Sequence, residues 1–404
     1  MSRKLILCFL FISTNFFSQN IKSIQLRPLQ ENNFSTIVPL GTSLELSFDD
    51  LEADNKNYQY KIEHMTHDWK SSRLSSSQFI DGFDQNTIIN VTNSFNTLQN
   101  YTHYSVRIPN VNTVITKSGN YLLSVLNFND DVIFTRRFVL YEPLATVGVT
   151  VERSRNSKTQ NTQQTVEFFI NHPRIKINNP AQEIHVVILK NNNWDEKITD
   201  LQPTFFRPNQ LSYTYTNSTN FWGGNEYLNF DNKYLRNNSF NIVKIIKKDV
   251  FHHYLYPFEF TPFRKYSYNP DINGQFVIRT LEGSDSKTEA DYAMIHFSMP
   301  VDERFPEKEV YVYGAFNDFK ITEENKMYFD SEENTYKGNI LLKQGFYNYT
   351  FATKEADGSI NTNYINGSFY ETENEYTIIV YYKPFGSFFE RVVGVGTGIF
   401  NQNR

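Results

Sequence analysis

Cysteine is all but absent from this chain of 404 residues: the single one, Cys8, lies within the first twenty positions. No disulfide can form within the chain, and the body after residue 20 offers no thiol for nucleophilic chemistry or soft-metal ligation. Long apolar runs are also missing after residue 20, so nothing there reaches the roughly 20 residues of a membrane-spanning helix. No block of like charge stands out, and a formal net charge of −5 argues against a nucleic-acid or anionic-membrane footprint. No serine sits in Gly-x-Ser-x-Gly, which removes the hydrolase nucleophile elbow.

What the first twenty residues do contain is an export signal. Ser2-Arg3-Lys4 is a short positive start, Leu5 to Ile12 an unbroken apolar run, and Ser13 to Gln19 brings a small residue to a cleavage point after Ser18. The expected signal peptide is 1–18. Cys8 follows Ile6-Leu7 with no small residue before it, unlike a lipid-attachment cysteine. An exported chain without disulfides must be held by its core alone, and 36 Phe, 26 Tyr and 3 Trp supply large rings for one.

The hydrophobic period is two nearly everywhere. Leu44-Leu46-Phe48, Tyr58-Tyr60-Ile62, Tyr104-Val106-Ile108, Val166-Phe168-Ile170 and Ile184-Val186-Ile188 alternate with polar residues between Asn-, Asp- and Gly-rich breaks. The fold class is therefore all-β. Gly119-Asn120-Tyr121 and Gly345-Phe346-Tyr347 each enter a strand in the manner of the tyrosine corner of immunoglobulin-like sandwiches. The expected organisation is three consecutive immunoglobulin-like or early-set β-sandwiches: residues 19–142, 143–285 and 286–390, the last finished by a strand from Glu373 to Tyr382. Residues 391–404 are expected to form a flexible tail.

Several segments carry a resemblance. Ile24 to Leu29, Leu46 to Leu51, Tyr60 to His64 with Asp68-Trp69, Asn93 to Tyr104, Ser118 to Tyr121, Arg136-Arg137-Phe138, Phe221 to Asp231 and His252 to Tyr256 are similar to the type IX secretion system plug protein family. The match covers essentially the whole chain after the signal. It implies a periplasmic, non-enzymatic subunit that binds and closes the periplasmic end of the large outer-membrane β-barrel translocon. The residues themselves give the expectation of no cofactor, no nucleic acid and no direct membrane insertion, and the free protein is expected to be a monomer. The competing reading is a periplasmic glycan- or peptidoglycan-binding protein built from the same sandwiches. Val310 to Phe319 followed by Gly345 to Tyr349 is similar to early-set glycogen-binding modules, but Phe319 stands at the usual first tryptophan and no Trp occurs after Trp222.

Candidate sites are few. His64-x-x-His67 with Asp68 has the residue types of a metal site, yet positions three apart on a strand face opposite sides. His252 and His253 likewise diverge. Asp49-Asp50 and Asp130-Asp131 are read as solvated carboxylates in turns or loop mouths. Gly394-x-Gly396-x-Gly398 superficially resembles a dinucleotide loop, but no helix follows it. Trp222-Gly223-Gly224-Asn225 is the most specific local signal, a tight turn that brings backbone close to something. The candidate partner-binding residues are Trp222, Gly223, Gly224 and Asn225, with Arg391 and Phe400 from the expected tail; no catalytic or metal residue is assigned.

Overall fold

The computed structural model describes residues 20–30, 32–260, 264–301, 305 and 308–400; the expected signal peptide and the last four residues of the expected tail lie outside them. The architecture is all-β. Among the described residues the α-helices are single turns, Pro180–Glu183 and Asn363–Asn366.

Three hydrophobic cores organise the strands. Around the first, a sheet ordered Ile21–Pro28, Leu44–Asp50, Thr102–Ile108, Asn90–Asn93 faces a sheet ordered Ile37–Pro39, Val132–Tyr141, Gly119–Leu126, Gln59–Met65, Gln85–Thr87. Leu46, Phe48, Tyr60, Ile62, Tyr104, Tyr121, Leu123 and Phe138 fill the space between them. The alternation in Leu44–Asp50 sends Leu44, Leu46 and Phe48 inward at every second residue, as a half-buried strand requires. Phe48 stacks on Tyr104 with ring centroids 5.1 Å apart. The Tyr121 hydroxyl donates to the Lys117 carbonyl at 2.7 Å, and Tyr347 repeats this bond to the Lys343 carbonyl at 2.6 Å. Each buried phenol thus satisfies its polar end four residues upstream.

The second core is assembled from two distant parts of the chain. One sheet runs Thr146–Arg153, Gln163–Asn171, Gln210–Tyr213, Phe205–Arg207, with Asn220–Trp222 also on Gln163–Asn171. The other runs Asn193–Ile198, Ile184–Lys190, Asn374–Tyr382, Arg391–Phe400. Between these parts the chain leaves to build the third core. There a continuous sheet ordered Leu228–Asp231, Gly345–Lys354, Val310–Tyr313, Lys326–Asp330, Thr335–Lys343, Tyr292–Pro300, Phe251–Leu255, Ile242–Lys247 wraps around Phe230, Ile295, Phe297, Val312, Tyr347 and Phe351.

The structure differs here from the linear order expected of the sequence. The third unit takes strands from Leu228 onward rather than from residue 286, and it is inserted into the second. The Asn374–Tyr382 strand, expected to finish the last sandwich, pairs instead with Ile184–Lys190. The reason is two-sided burial. Tyr376, Ile378 and Val380 face the second core, while Ile379 and Tyr381 join Val187, Leu189, Val139 and Val392 in a smaller cluster against the first unit. Only a central strand covered on both faces accommodates such a run.

Residues 391–400 are likewise a strand, not a flexible tail. Their alternate glycines give the Thr146–Arg153 strand room to cross. A Cβ on Gly396 would lie 2.6 Å from the Val147 carbonyl oxygen, one on Gly394 2.9 Å from that of Ala145, and one on Gly398 2.7 Å from Val149 Cγ1. The Gly-x-Gly-x-Gly pattern is a close-packing face.

Candidate functional site

Trp222-Gly223-Gly224-Asn225 lies where the chain leaves the second unit for the third, and the return path at residues 366–374 is laced to it. Gly223 donates its N–H to the Thr162 carbonyl at 2.9 Å, and its own carbonyl accepts from Asn374 Nδ2 at 2.8 Å. The Gly224 N–H reaches Ser368 Oγ, while its carbonyl accepts from the Phe369 N–H and the Thr372 hydroxyl. Asn225 Nδ2 donates to the Asn366 carbonyl at 3.0 Å. Any Cβ at Gly223 would collide with the Phe369 carbonyl, and Gly224 holds a φ of +71°, where glycine is favoured. The backbone and the asparagine are therefore consumed by the double crossing. Trp222 differs: Lys190 Nζ holds its carbonyl at 2.9 Å while the residue remains 50% exposed.

The two other sequence candidates lie at opposite ends of the last strand, Phe400 at the end beside this turn and Arg391 at the end away from it. Arg391 is engaged with Glu142, its Nε 3.1 Å from Oε1, and Ser118 also donates to that carboxylate. Phe400 is registered with Asn374 and 6.2 Å ring to ring from Tyr370. The structure does not gather the six residues into one patch.

The strongest electrostatic feature is one the sequence reading placed in solvent. Asp49 and Asp50 are fully buried. Asp50 accepts from the Tyr58 hydroxyl at 2.8 Å and from Lys56 at 2.9 Å. Asp49 accepts from His103 Nδ1 at 2.6 Å, Lys343 Nζ at 2.7 Å and the Tyr292 hydroxyl at 2.7 Å, joining the first unit to the third. Burial alone would raise the Asp49 carboxyl, but Lys343 and His103 beside it pull it below the ordinary carboxylate range. Nearby, Asp291 caps the Leu98 and Gln99 N–H groups, and Tyr101 donates to the Ala290 carbonyl. The network reads as a structural clamp. Asp50 continues the inward alternation of Leu44, Leu46 and Phe48, a local signal for its burial. Asp49 points the other way and is covered by a distant unit, which no local pattern reveals.

The histidines separate as their spacing predicts. His64 turns into the first core, its Nε2 3.5 Å from the Ser118 carbonyl, and burial lowers its pKa to about 4. His67 leaves the strand end and meets Glu390, Nδ1 to Oε2 2.9 Å, with its ring stacked on His185 at 4.2 Å and 7°. These three could supply metal ligands. Face-to-face rings, however, aim their in-plane lone pairs along parallel planes, and the Glu390 carboxylate is already bound to His67. A second acidic group, Asp50, Glu52 and Asp54, closes around the Lys56 ammonium, which supplies its cation. His252 bonds His296, whereas His253 donates its Nε2–H to the Leu235 carbonyl on the opposite face.

Against this geometry the comparisons are decisive. The first unit, residues 21–142, matches the family model described as type 9 secretion system plug protein 1st domain. The chain belongs to the type 9 secretion system plug protein family. Similarity extends beyond that unit: a crystal structure of a hypothetical protein from Parabacteroides merdae superposes with a TM-score of 0.90 at 32% identity, covering 95% of this chain and 98% of the other. Two further structures score far lower. A partial N-terminal region of enterococcal surface protein gives a TM-score of 0.20 at 7% identity, over 95% of this chain and 94% of that one. An Escherichia coli alpha-2-macroglobulin gives 0.17 at 11%, over 94% and 34%. Neither bears on fold or function. No curated protein matches the sequence. Membership places this plug-family chain with the secretion machinery. Among the described residues no helix is long and apolar enough to cross a membrane.

Proposed function

We propose that the chain is a non-enzymatic periplasmic plug that binds and closes the periplasmic end of the outer-membrane β-barrel translocon of type IX secretion. The observation that carries this reading is the family match of the first unit. The physical build supports it. A stopper must keep its shape against a wide opening, and the three units are joined by buried polar and apolar contacts rather than by bare linkers. The Asp49 clamp fixes the first unit to the third, the Val187–Tyr381–Val392 cluster fixes it to the second, and the laced double crossing fixes second to third. The largest known outer-membrane barrels have 36 strands, and their lumen far exceeds one sandwich of sheets about 10 Å apart. Three interlocked units offer the breadth that one lacks.

Trp222 is the member of the candidate contact set best suited to partner binding. A half-exposed tryptophan on backbone held by several hydrogen bonds is a pre-organised anchor, and rigid aromatic anchors dominate interface energetics. Deleting the gene should raise entry of large antibiotics such as vancomycin only in cells that retain the barrel. Unchanged permeability in that background, or an equal rise without the barrel, would remove the sealing role.

A further inference from the structure

The hairpin between Asn374–Tyr382 and Arg391–Phe400 reads Lys383-Pro384-Phe385-Gly386-Ser387-Phe388-Phe389, and two of its rings stand clear of the protein. Phe385 is 95% exposed and Phe388 90%. The turn beneath them is firmly built. The Ser387 N–H donates to the Pro384 carbonyl at 2.9 Å, and the Ser387 hydroxyl to the Phe389 carbonyl at 2.7 Å. Gly386 supplies a φ of +82° at its centre. At one root the Lys383 N–H bonds the Glu183 carbonyl; at the other Phe389 turns inward toward His64, and the buried Glu390 accepts from His67. Two phenyl rings are thus held out in water on a fixed support, an arrangement that marks a contact surface.

Three lysines lie close to this tip. Lys117 Nζ lies 5.2 Å from the centroid of Phe389, Lys383 is in the turn itself, and the Lys176 carbonyl accepts the Tyr382 hydroxyl. Among the described residues none of these three lysines forms an ion pair, whereas the neighbouring acids are already engaged. Glu183 accepts from the Asn178 and Asn179 N–H groups, Glu390 from His67, and Glu142 from Ser118 and Arg391. An apolar tip with lysines outside any ion pair on the segments beside it is the pattern of an interfacial lipid contact.

We propose that the Phe385–Phe388 turn is a peripheral membrane contact. The two rings enter the boundary region of a phospholipid monolayer, while Lys117, Lys176 and Lys383 meet anionic headgroups. Such a contact touches a surface and spans nothing. It departs from the sequence expectation of no direct membrane insertion because a net acidic composition conceals the lysines beside an apolar tip. The inference is independent of the plug reading, and either can fail alone.

The test is co-sedimentation of the purified chain with vesicles of phosphatidylethanolamine and phosphatidylglycerol, with phosphatidylcholine vesicles as the uncharged control. Binding is expected on the anionic vesicles, weakened by salt. It should fall at least about tenfold in F385S/F388S, whose melting curve stays that of the parent, and about fivefold for each Lys→Gln change at these three lysines. A tryptophan at position 388 (F388W) should blue-shift on vesicle addition. No anionic-vesicle binding by the parent chain, or equal binding by F385S/F388S, would overturn the proposal. Loss of translocon capture by F385S/F388S without any vesicle binding would assign the tip to a protein partner and overturn it equally.

Discussion

Replacing Lys343 by methionine should strike the junction between the first and third units hardest. Its side chain is 2% exposed and that of its partner Asp49 1%, so solvent screens neither. Methionine preserves most of the packed stem, but Asp49 then keeps only His103 and Tyr292, and the Lys287 carbonyl loses a donor. The ammonium also leaves its place 4.0 Å from the Tyr101 ring centroid. Stranding one member of a buried pair costs about 3–5 kcal/mol. For a cooperative unit of this size that corresponds to a melting shift on the order of 10 °C. The control is Lys287→Ala, which breaks the partly exposed pair with Glu45 and should cost less than about 1 kcal/mol. Differential scanning calorimetry of K343M, K287A, D49N and D49N/K343M provides the cycle. The double variant removes both charges and should recover a substantial part of the K343M loss. The clamp argument is refuted if K343M costs no more than K287A, or if the D49N and K343M losses simply add.

Gly396→Val should destabilise the second unit by more than about 3 kcal/mol through collision with Val147, while Thr397→Val on the exposed face should stay within about 0.5 kcal/mol; urea unfolding compares them. Trp222→Ala should leave the melting temperature nearly unchanged yet weaken capture of the translocon about tenfold or more, whereas Gly223→Ala should lower stability itself. Equal effects of both on stability, or none of Trp222→Ala on capture, would remove Trp222 as an anchor. His64 is held neutral by burial, with a folded pKa of about 4 against about 6.5 unfolded, so its contribution is complete above pH 6.5 and drains away toward pH 4. The loss should reach about 3 kcal/mol. NMR titration checks it, and an imidazole titrating near 6.5 would contradict it.

The strands were legible because each answers to a local rule. Leu44, Leu46 and Phe48 alternate, and both Gly-x-Tyr entries place a phenol on a carbonyl four residues back. The nesting of units answers to no local rule. Ile184–Lys190 and Asn374–Tyr382 are both apolar on two faces, the mark of central strands, yet nothing in either segment names the other as its partner. The same holds at the sites. Spacing correctly kept His64 away from His67, but could not foresee that His67 would meet His185 and Glu390 from another unit. The tight turn read from Trp222-Gly223-Gly224-Asn225 was real, and its purpose became visible only once residues 366–374 were seen to pass beside it. Phe385 and Phe388 could have been noticed as aromatics within a Pro-x-Gly-Ser turn, where burial is difficult.

The insertion of one unit within another also imposes an order of events on a chain that is synthesised N-terminus first. The strands from Thr146 to Trp222 bring one sheet of the second core and only half of the sheet that faces it. The inserted unit can complete its own sheet as soon as its last strand is out. The second core must wait for Asn374–Tyr382 and Arg391–Phe400, which bring Tyr376, Ile378, Val380 and Val393. Until then the edge of Ile184–Lys190 that pairs with Asn374–Tyr382 is free, and the second core is only partly covered. Synthesis that stops shortly before residue 391 would leave the Asn374–Tyr382 edge exposed, so the nested design makes closure of the second core report that translation has run past its final strand.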